Sequence, residues 1–354
     1  YAEPGGALEI VRRMVTFEDG LIRAHPGPFY KPFFTIDLPD LRAALEPFSR
    51  EQIASAAQQV LEEVMVGWVS RHIEETGLSN LALAGGVFGN VKLNQRLAAI
   101  TGVTSVFVHP GMGDGGLPLG ACLQHLADVA PDELPARPLA HVFLGPESSD
   151  ADIEAVCDAA GIDAERVDDP VAAALEELVA GRVVGWFQGR MEYGPRALCH
   201  RSILVHPRDP SVNDWLNARL DRTEFMPFAP VTTAELAPRC FVGWTPDDRA
   251  SRFMTITYDV TEEFAASAPA TVHVDQTARP QVVFAEDEPD VHRLLTAYHQ
   301  ATGDLALINT SFNHHEEPIV CTPADALASL AKGNVDVLLM GLFRIRPVAS
   351  AERN

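Results

Sequence analysis

The stretch Gly189-Arg190-Met191-Glu192-Tyr193-Gly194-Pro195-Arg196-Ala197-Leu198-Cys199-His200-Arg201-Ser202 sets three arginines and a glutamate on one loop punctuated by glycine and proline. An apolar run, Val183–Phe187, leads into it and a second, Ser202–His206, leads out, so it reads as a link between two strands. Guanidinium groups donate hydrogen bonds in a planar fork that matches carboxylate and phosphate oxygens. Arg190, Arg196 and Arg201 on one turn therefore point to a small anion, a phosphate above all. A surface ion-pair network is the alternative, but such networks usually mix lysine and arginine along helical faces.

Outward from this loop, helices and strands alternate. A capping box, Ser49 with Gln52, opens a helix whose inward face reads Ile53, Ala57, Val60, Val64, Trp68 and His72, and Gly77 closes it. A short strand at 81–84 leads to Gly85-Gly86, and a second helix starts near Val91. Val103–His109 reads as a strand, followed by a glycine loop and a small-residue helix, Leu119–Ala127. Four prolines between Ala130 and Pro146 mark a domain boundary, dividing the chain into 1–135 and 136–354. Beyond it come helices at 150–160, 171–180, 209–219, 292–301 and 323–331. Strands are expected at 253–260, 305–308 and 335–340. Alternation of this kind is α/β architecture in both parts.

A chain of 354 residues accommodates two domains, and 47% hydrophobic content supplies two cores. The net charge of −22 argues against a nucleic-acid partner, which requires a basic surface. Lys31, Lys92 and Lys332 are the only lysines, so the positive charge is nearly all arginine. No apolar run reaches 18 residues, and no membrane partner is expected. Five scattered cysteines without a C-x-x-C spacing indicate neither zinc nor a disulfide framework, and imply reduced thiols in a cytoplasmic protein.

Other loops carry candidate chemistry. Gly85-Gly86-Val87-Phe88-Gly89-Asn90 either lets backbone approach a ligand or simply makes a tight turn. Asp114, among Gly113, Gly115 and Gly116, could bind a metal, hold a ribose or cap the following helix. Asn309-Thr310-Ser311-Phe312-Asn313 follows a strand and offers hydroxyls and amides to phosphate or ribose oxygens, with turn chemistry an equal reading for Asn313. The segments around Arg219, Arg222 and Glu224 and around Arg279 add further guanidinium groups. His314-His315-Glu316-Glu317 reads as a solvated loop, because adjacent histidines on extended backbone face opposite ways. Cys199 and Cys321 lack His or Asn partners at a recognisable spacing and are not proposed as nucleophiles.

Together these segments resemble the O-carbamoyltransferases of antibiotic and nodulation-factor biosynthesis. The similarity runs in order from about residue 80 to 345. It rests on Gly85-Gly86-Val87 with Asn90, Gly113–Gly116, Gly189–Ser202, Asp209-Pro210, Pro227–Pro230, Asp275–Gln281, Asn309–Asn313 and Glu317–Val320. The resemblance implies half of an actin/sugar-kinase-type ATPase module followed by a module similar to threonylcarbamoyl-adenylate synthase. It implies that carbamoyl phosphate and ATP give carbamoyl adenylate, and that the carbamoyl group then passes to a hydroxyl of a small natural product. Arg196, Arg201 and Arg279 would carry the catalysis, and Arg190, Glu192, Ser202, Thr310, Ser311 and Asn313 would hold substrates. Gly85, Gly86 and Asn90 would touch nucleotide. Asp114 would ligate a divalent, iron-type metal, with Mg²⁺ on the ATP phosphates. The family's N-terminal half, with its His-x-x-x-His ligands, has no counterpart here. It is expected to come from a separate chain, a full-length protein or a second copy. Cys199 stands where relatives carry glycine, and Asp221 and Met226 where many carry basic residues. A tRNA threonylcarbamoyl-type transferase and a non-catalytic nucleotide- or carbamoyl-phosphate-binding subunit are the rival readings.

Overall fold

The computed structural model describes residues 2–31, 38–135, 139–222 and 227–347, which leaves Glu224 and Met226 outside the described residues. The chain forms two compact units, Tyr1–Leu83 with Asn90–Phe107, and Ala84–Gly89 with Val108–Asn354.

In the smaller unit the order is α1 (Ala7–Arg12), β1 (Val15–Glu18), β2 (Leu21–Ala24), α2 (Pro39–Leu45), α3 (Arg50–Thr76), β3 (Asn80–Leu83), α4 (Val91–Ala98) and β4 (Ser105–Val108), whose last residue falls in the larger unit. The capping box forms as expected: Gln52 N donates to Ser49 Oγ and Ser49 N to Gln52 Oε1. Gly77, at φ +67°, ends α3 in the left-handed conformation that glycine adopts without strain. The buried stripe of α3 is Ala56, Val60, Val64, Met65 and Val69. Ala57 and His72, expected inward, are exposed. Strands β1 and β2 pair with each other, as do β3 and β4.

The larger unit is built on one mixed eight-stranded sheet. Its elements are α5 (Leu117–Val129), α6 (Asp150–Ala160), β5 (Ala164–Arg166), α7 (Pro170–Val179), β6 (Val184–Phe187), β7 (Arg201–Val205), α8 (Val212–Arg219) and β8 (Ala229–Thr233). Then come α9 (Ala237–Cys240), β9 (Tyr258–Asp259), α10 (Glu262–Ser267), β10 (Thr277–Ala278), β11 (Gln281–Val283), α11 (Pro289–Thr302), β12 (Leu307–Ser311), α12 (Pro323–Ala331), β13 (Val337–Met340) and β14 (Phe343–Ile345). The order across the sheet is β11-β8-β12-β7-β6-β13-β14-β5. Only β11 with β8 and β13 with β6 run parallel.

Alternation along the central strands fills both faces. Ile203, Val205, Ile308, Leu338 and Met340 meet α6, α8 and α12 in one core. Leu204, Leu307, Val337 and Leu339 meet α7 and α11 in the other. Period-two side chains covered by helices on each side give the α/β layering that the sequence pattern implies.

One expectation needs correction. The segment 253–260, expected as a strand, is mostly coil: Phe253 ends a 3₁₀ turn (Arg249–Phe253), Tyr258–Asp259 pairs with β10, and Val260 bridges to Phe241. Strand β8 lies inside the sheet even though it contains Pro230, which has no amide to give to the ladder. Pro230 sits opposite Ile308 in the antiparallel β8–β12 pair, flanked by ladder residues that keep their amides.

Candidate functional site

The N-T-S-F-N segment ends β12, which pairs with β7 so that Thr310 faces Ile203 and Ser311 faces Ser202. This register brings the end of β12 beside the arginine loop. A cleft of about 760 Å³ opens there, lined by Pro195–Ala197, Asn217, Arg222, Pro227–Ala229, Met254, Arg279, Asn309–Ser311, Asn313 and 315–318.

Arg196 and Arg279 both line this cleft, close enough for the Arg196 charge to act on Arg279. Among the described residues neither has a hydrogen-bond or ion-pair partner. Burial lowers the pKa of Arg196. Burial, and then the Arg196 guanidinium, push that of Arg279 down to about 9. Both remain cationic at neutral pH, so the cleft holds two desolvated, mutually repelling charges that an anion would relieve.

Arg222 is the third guanidinium. Its Nη1 donates to Thr310 Oγ1 (2.8 Å), and its Nη2 to Asn313 Oδ1 (2.8 Å) and to the main-chain oxygens of Ser311 (2.9 Å) and Asn313 (3.1 Å). Asn313 Nδ2 in turn donates to the carbonyls of His314 and Glu317. Thr310, Ser311 and Asn313 thus stand at the cleft as a turn organised by one arginine.

Buried amides tie the two free arginines' segments together. Asn309 Nδ2 donates to Gln281 Oε1 (2.7 Å) and to Ala197 O (3.2 Å), and Gln281 Nε2 donates to Leu198 O (3.1 Å). These bonds lock the backbone next to Arg196 to the strand that follows Arg279. Upstream, Asp275 accepts from Thr277 N and Thr277 Oγ1, shaping the turn that delivers Arg279.

The expectation of three converging loop arginines is not met. Arg201, 0% exposed, donates to the carbonyls of Gln188, His200 and Gly189 and lies over the Phe187 ring at 3.6 Å. Its charge is absorbed by main-chain dipoles, and it does not line the cleft. Arg190 is exposed and donates to Leu144 O. Glu192 also turns inward: Oε1 accepts the main-chain N–H groups of Leu198 (2.7 Å), His200 (2.8 Å) and Arg201 (2.9 Å). It therefore shapes the loop that carries Arg196. Ser202 is buried, its Oγ accepting from Cys199 N. The prolines expected to mark a domain boundary lie partly along this loop, where Tyr193 N donates to Val142 O and Met191 N to Pro146 O.

None of the glycine-loop residues lines the cleft. In the larger unit Gly85, at φ +119°, donates its N–H to Met112 O. Gly86 is exposed. Asn90, in the smaller unit, caps α4 by accepting from Leu93 N and exchanges hydrogen bonds with Gln58. Asp114 is exposed and makes no capping bond to α5. Packing accounts for part of its loop after all: a Cβ on Gly111 would strike the Tyr193 ring, and one on Gly116 would strike Gly111 O. Among the described residues no group of three or more His, Cys, Asp or Glu could hold a metal ion. Asp114 alone does not make a metal centre.

Two family models match this chain: the carbamoyltransferase C-terminus over residues 175–346, and the carbamoyltransferase N-terminus over 31–123. The chain belongs to the carbamoyltransferase family. The likeness reaches back to residue 31, well before the first motif noted in the sequence. It is 36% identical over 307 residues to the nodulation protein NolNO of Sinorhizobium fredii, covering 85% of this chain and 45% of that protein. It is 34% identical over 307 residues to the nodulation protein NolO of Bradyrhizobium diazoefficiens, covering 85% and 56%. An uncharacterized protein of Methanocaldococcus jannaschii is 33% identical over 312 residues, covering 85% and 50%. The chain spans about half the length of the curated relatives it matches.

Proposed function

We propose that the cleft of the larger unit binds carbamoyl phosphate and ATP and forms carbamoyl adenylate. The carbamoyl group then goes to a hydroxyl of a small natural-product acceptor. The observation that carries this reading is the pair Arg196 and Arg279, two desolvated guanidinium groups without partners in one cleft. In the proposed sequence water cleaves carbamoyl phosphate to carbamate and phosphate. A carbamate oxygen then attacks the α-phosphorus of ATP, the bond to the β-bridging oxygen breaks, and pyrophosphate leaves. Last, the acceptor oxygen attacks the carbamoyl carbon, losing its proton, and AMP departs.

The main obstacle in the second step is charge, since the carbamate anion must attack polyanionic ATP. Arg196 and Arg279 offset that repulsion in the proposed site, and Arg222 holds the Thr310–Asn313 rim where a phosphate would rest. Mg²⁺ would arrive with ATP and neutralise its phosphates. No step is drawn through an iron-type metal, because Asp114 lacks companion ligands among the described residues. Such a metal, with ligands from another segment or chain, belongs to the transfer step of the proposal. Nothing in the reading calls for nucleic acid or membrane. Among the described residues no helix is long and apolar enough to cross a bilayer.

The test is pyrophosphate release from ATP, with and without carbamoyl phosphate. Release that depends on carbamoyl phosphate and is lost in Arg279→Ala supports the reading. Binding without release indicates a non-catalytic subunit. A gel shift with tRNA would favour a tRNA-modifying relative.

A further inference from the structure

We propose that Asn309 is the residue by which the cleft distinguishes a carbamoyl group from an acyl group of the same shape, its Oδ1 accepting a hydrogen bond from the carbamoyl NH₂. This inference rests on the proposed function and adds to it the selectivity of the phosphate substrate.

The orientation of the Asn309 amide is fixed by its neighbours. Asn309 is 1% exposed and lines the cleft. The amide atom 3.2 Å from Ala197 O must be the nitrogen, because a main-chain carbonyl only accepts. The same nitrogen lies 2.7 Å from Gln281 Oε1, and Gln281 is oriented independently by its donation to Leu198 O. Turning either amide over would set oxygen against oxygen. Asn309 Oδ1 is thereby held in place, and among the described residues it has no partner. A buried acceptor without a donor is a standing cost that native structures rarely leave unanswered.

The ligand can supply the answer. Arg196 and Arg279 can only donate, so an anion's oxygens satisfy them, whereas Asn309 Oδ1 requires an N–H or O–H. Carbamoyl phosphate brings both kinds of group, acceptor oxygens on phosphorus and two N–H bonds on the adjoining carbon. Acetyl phosphate has the same phosphate and a methyl group where the amino group would be. Its binding would leave Oδ1 unpaired against a methyl, and sites built to hydrogen-bond a substrate group reject analogues lacking it far more strongly than apolar pockets discriminate by size.

The experiment is calorimetric titration of the whole protein with carbamoyl phosphate, acetyl phosphate and inorganic phosphate. Wild type is expected to prefer carbamoyl over acetyl phosphate by about tenfold or more. In Asn309→Ser the carbamoyl-over-acetyl preference should fall to about threefold or less, read as the ratio of the two affinities so that any shared change in phosphate binding cancels. A readout on wild type needs no variant: the amide protons of ¹⁵N-labelled carbamoyl phosphate should shift downfield on binding. An unshifted amide signal, or a preference that survives in Asn309→Ser, overturns the assignment and gives Oδ1 to a bound water. If all three ligands bind wild type alike, this inference alone falls. If none binds, the anion-cleft reading falls with it.

Discussion

At the residue scale, the arginines divide into those that hold the protein and those held ready for a ligand. Arg201 and Arg190 are bonded to main-chain carbonyls, whereas Arg196 and Arg279 are desolvated and without partners among the described residues. Arg201→Ala should therefore lower stability, by about 2–3 kcal/mol in denaturant unfolding, since it strips buried carbonyls of their donor. Arg196→Ala and Arg279→Ala should leave stability unchanged or slightly higher and lose anion binding. The pH dependence follows from burial. Because folding lowers the Arg279 pKa, its charge is a cost to the fold that is full below about 9 and relieved as pH rises above it. Phosphate affinity should run the other way, weakening as pH climbs through about 9, measured as a fall in the phosphate-induced rise in Tm. Cys199 occupies φ +72°, strained for any side chain, and donates its thiol to Gln281 Oε1. Cys199→Gly should change unfolding free energy by no more than about 1 kcal/mol, while the β-branched Cys199→Val should cost about 2 kcal/mol or more.

At the scale of elements, what was legible in the sequence was what local chemistry dictates. The Ser49–Gln52 box, Gly77, and the strand–loop–strand around 183–206 all reappear, because capping, left-handed glycine and apolar runs act within a few residues. The cleft itself was only partly legible. That Arg196 and Arg279 share a cleft depends on β7 and β11 being joined through β12 and β8, a strand order with no local signature. Arg222 was visible as one arginine among several, and its five hydrogen bonds to the Thr310–Asn313 turn depend on long-range folding. The resemblance implies that Glu192 holds substrate. Its oxygen instead collects three amides of its own loop. Glu192→Ala should leave those buried N–H groups unpaired, lowering stability by about 3 kcal/mol and weakening phosphate binding through Arg196, as chemical denaturation and titration would show. Thr322 caps α12 through a reciprocal bond with Asp325, and Thr322→Ala should cost about 1 kcal/mol with phosphate affinity intact. That pair of variants separates loss of fold from loss of site.

At the scale of the molecule, a chain of net charge −22 places three arginines, Arg196, Arg222 and Arg279, along the cleft proposed to take an anion. The surrounding negative potential slows the approach of anions, so association should quicken as salt screens it, whereas the desolvated contacts inside the cleft are screened much less. Both cores of the large unit meet the central strands β7, β12 and β13, which gives the cleft a rigid floor. Rigidity of this kind lets guanidinium groups stay in place without a ligand. The measurement that bears most directly on the arginine cleft is calorimetric titration of carbamoyl phosphate into wild type and Arg279→Met, which removes charge but keeps length. Wild type should bind one equivalent and Arg279→Met should bind at least a hundredfold more weakly. Equal binding by the two proteins would contradict the assignment of Arg279, and with it the cleft as the seat of the chemistry.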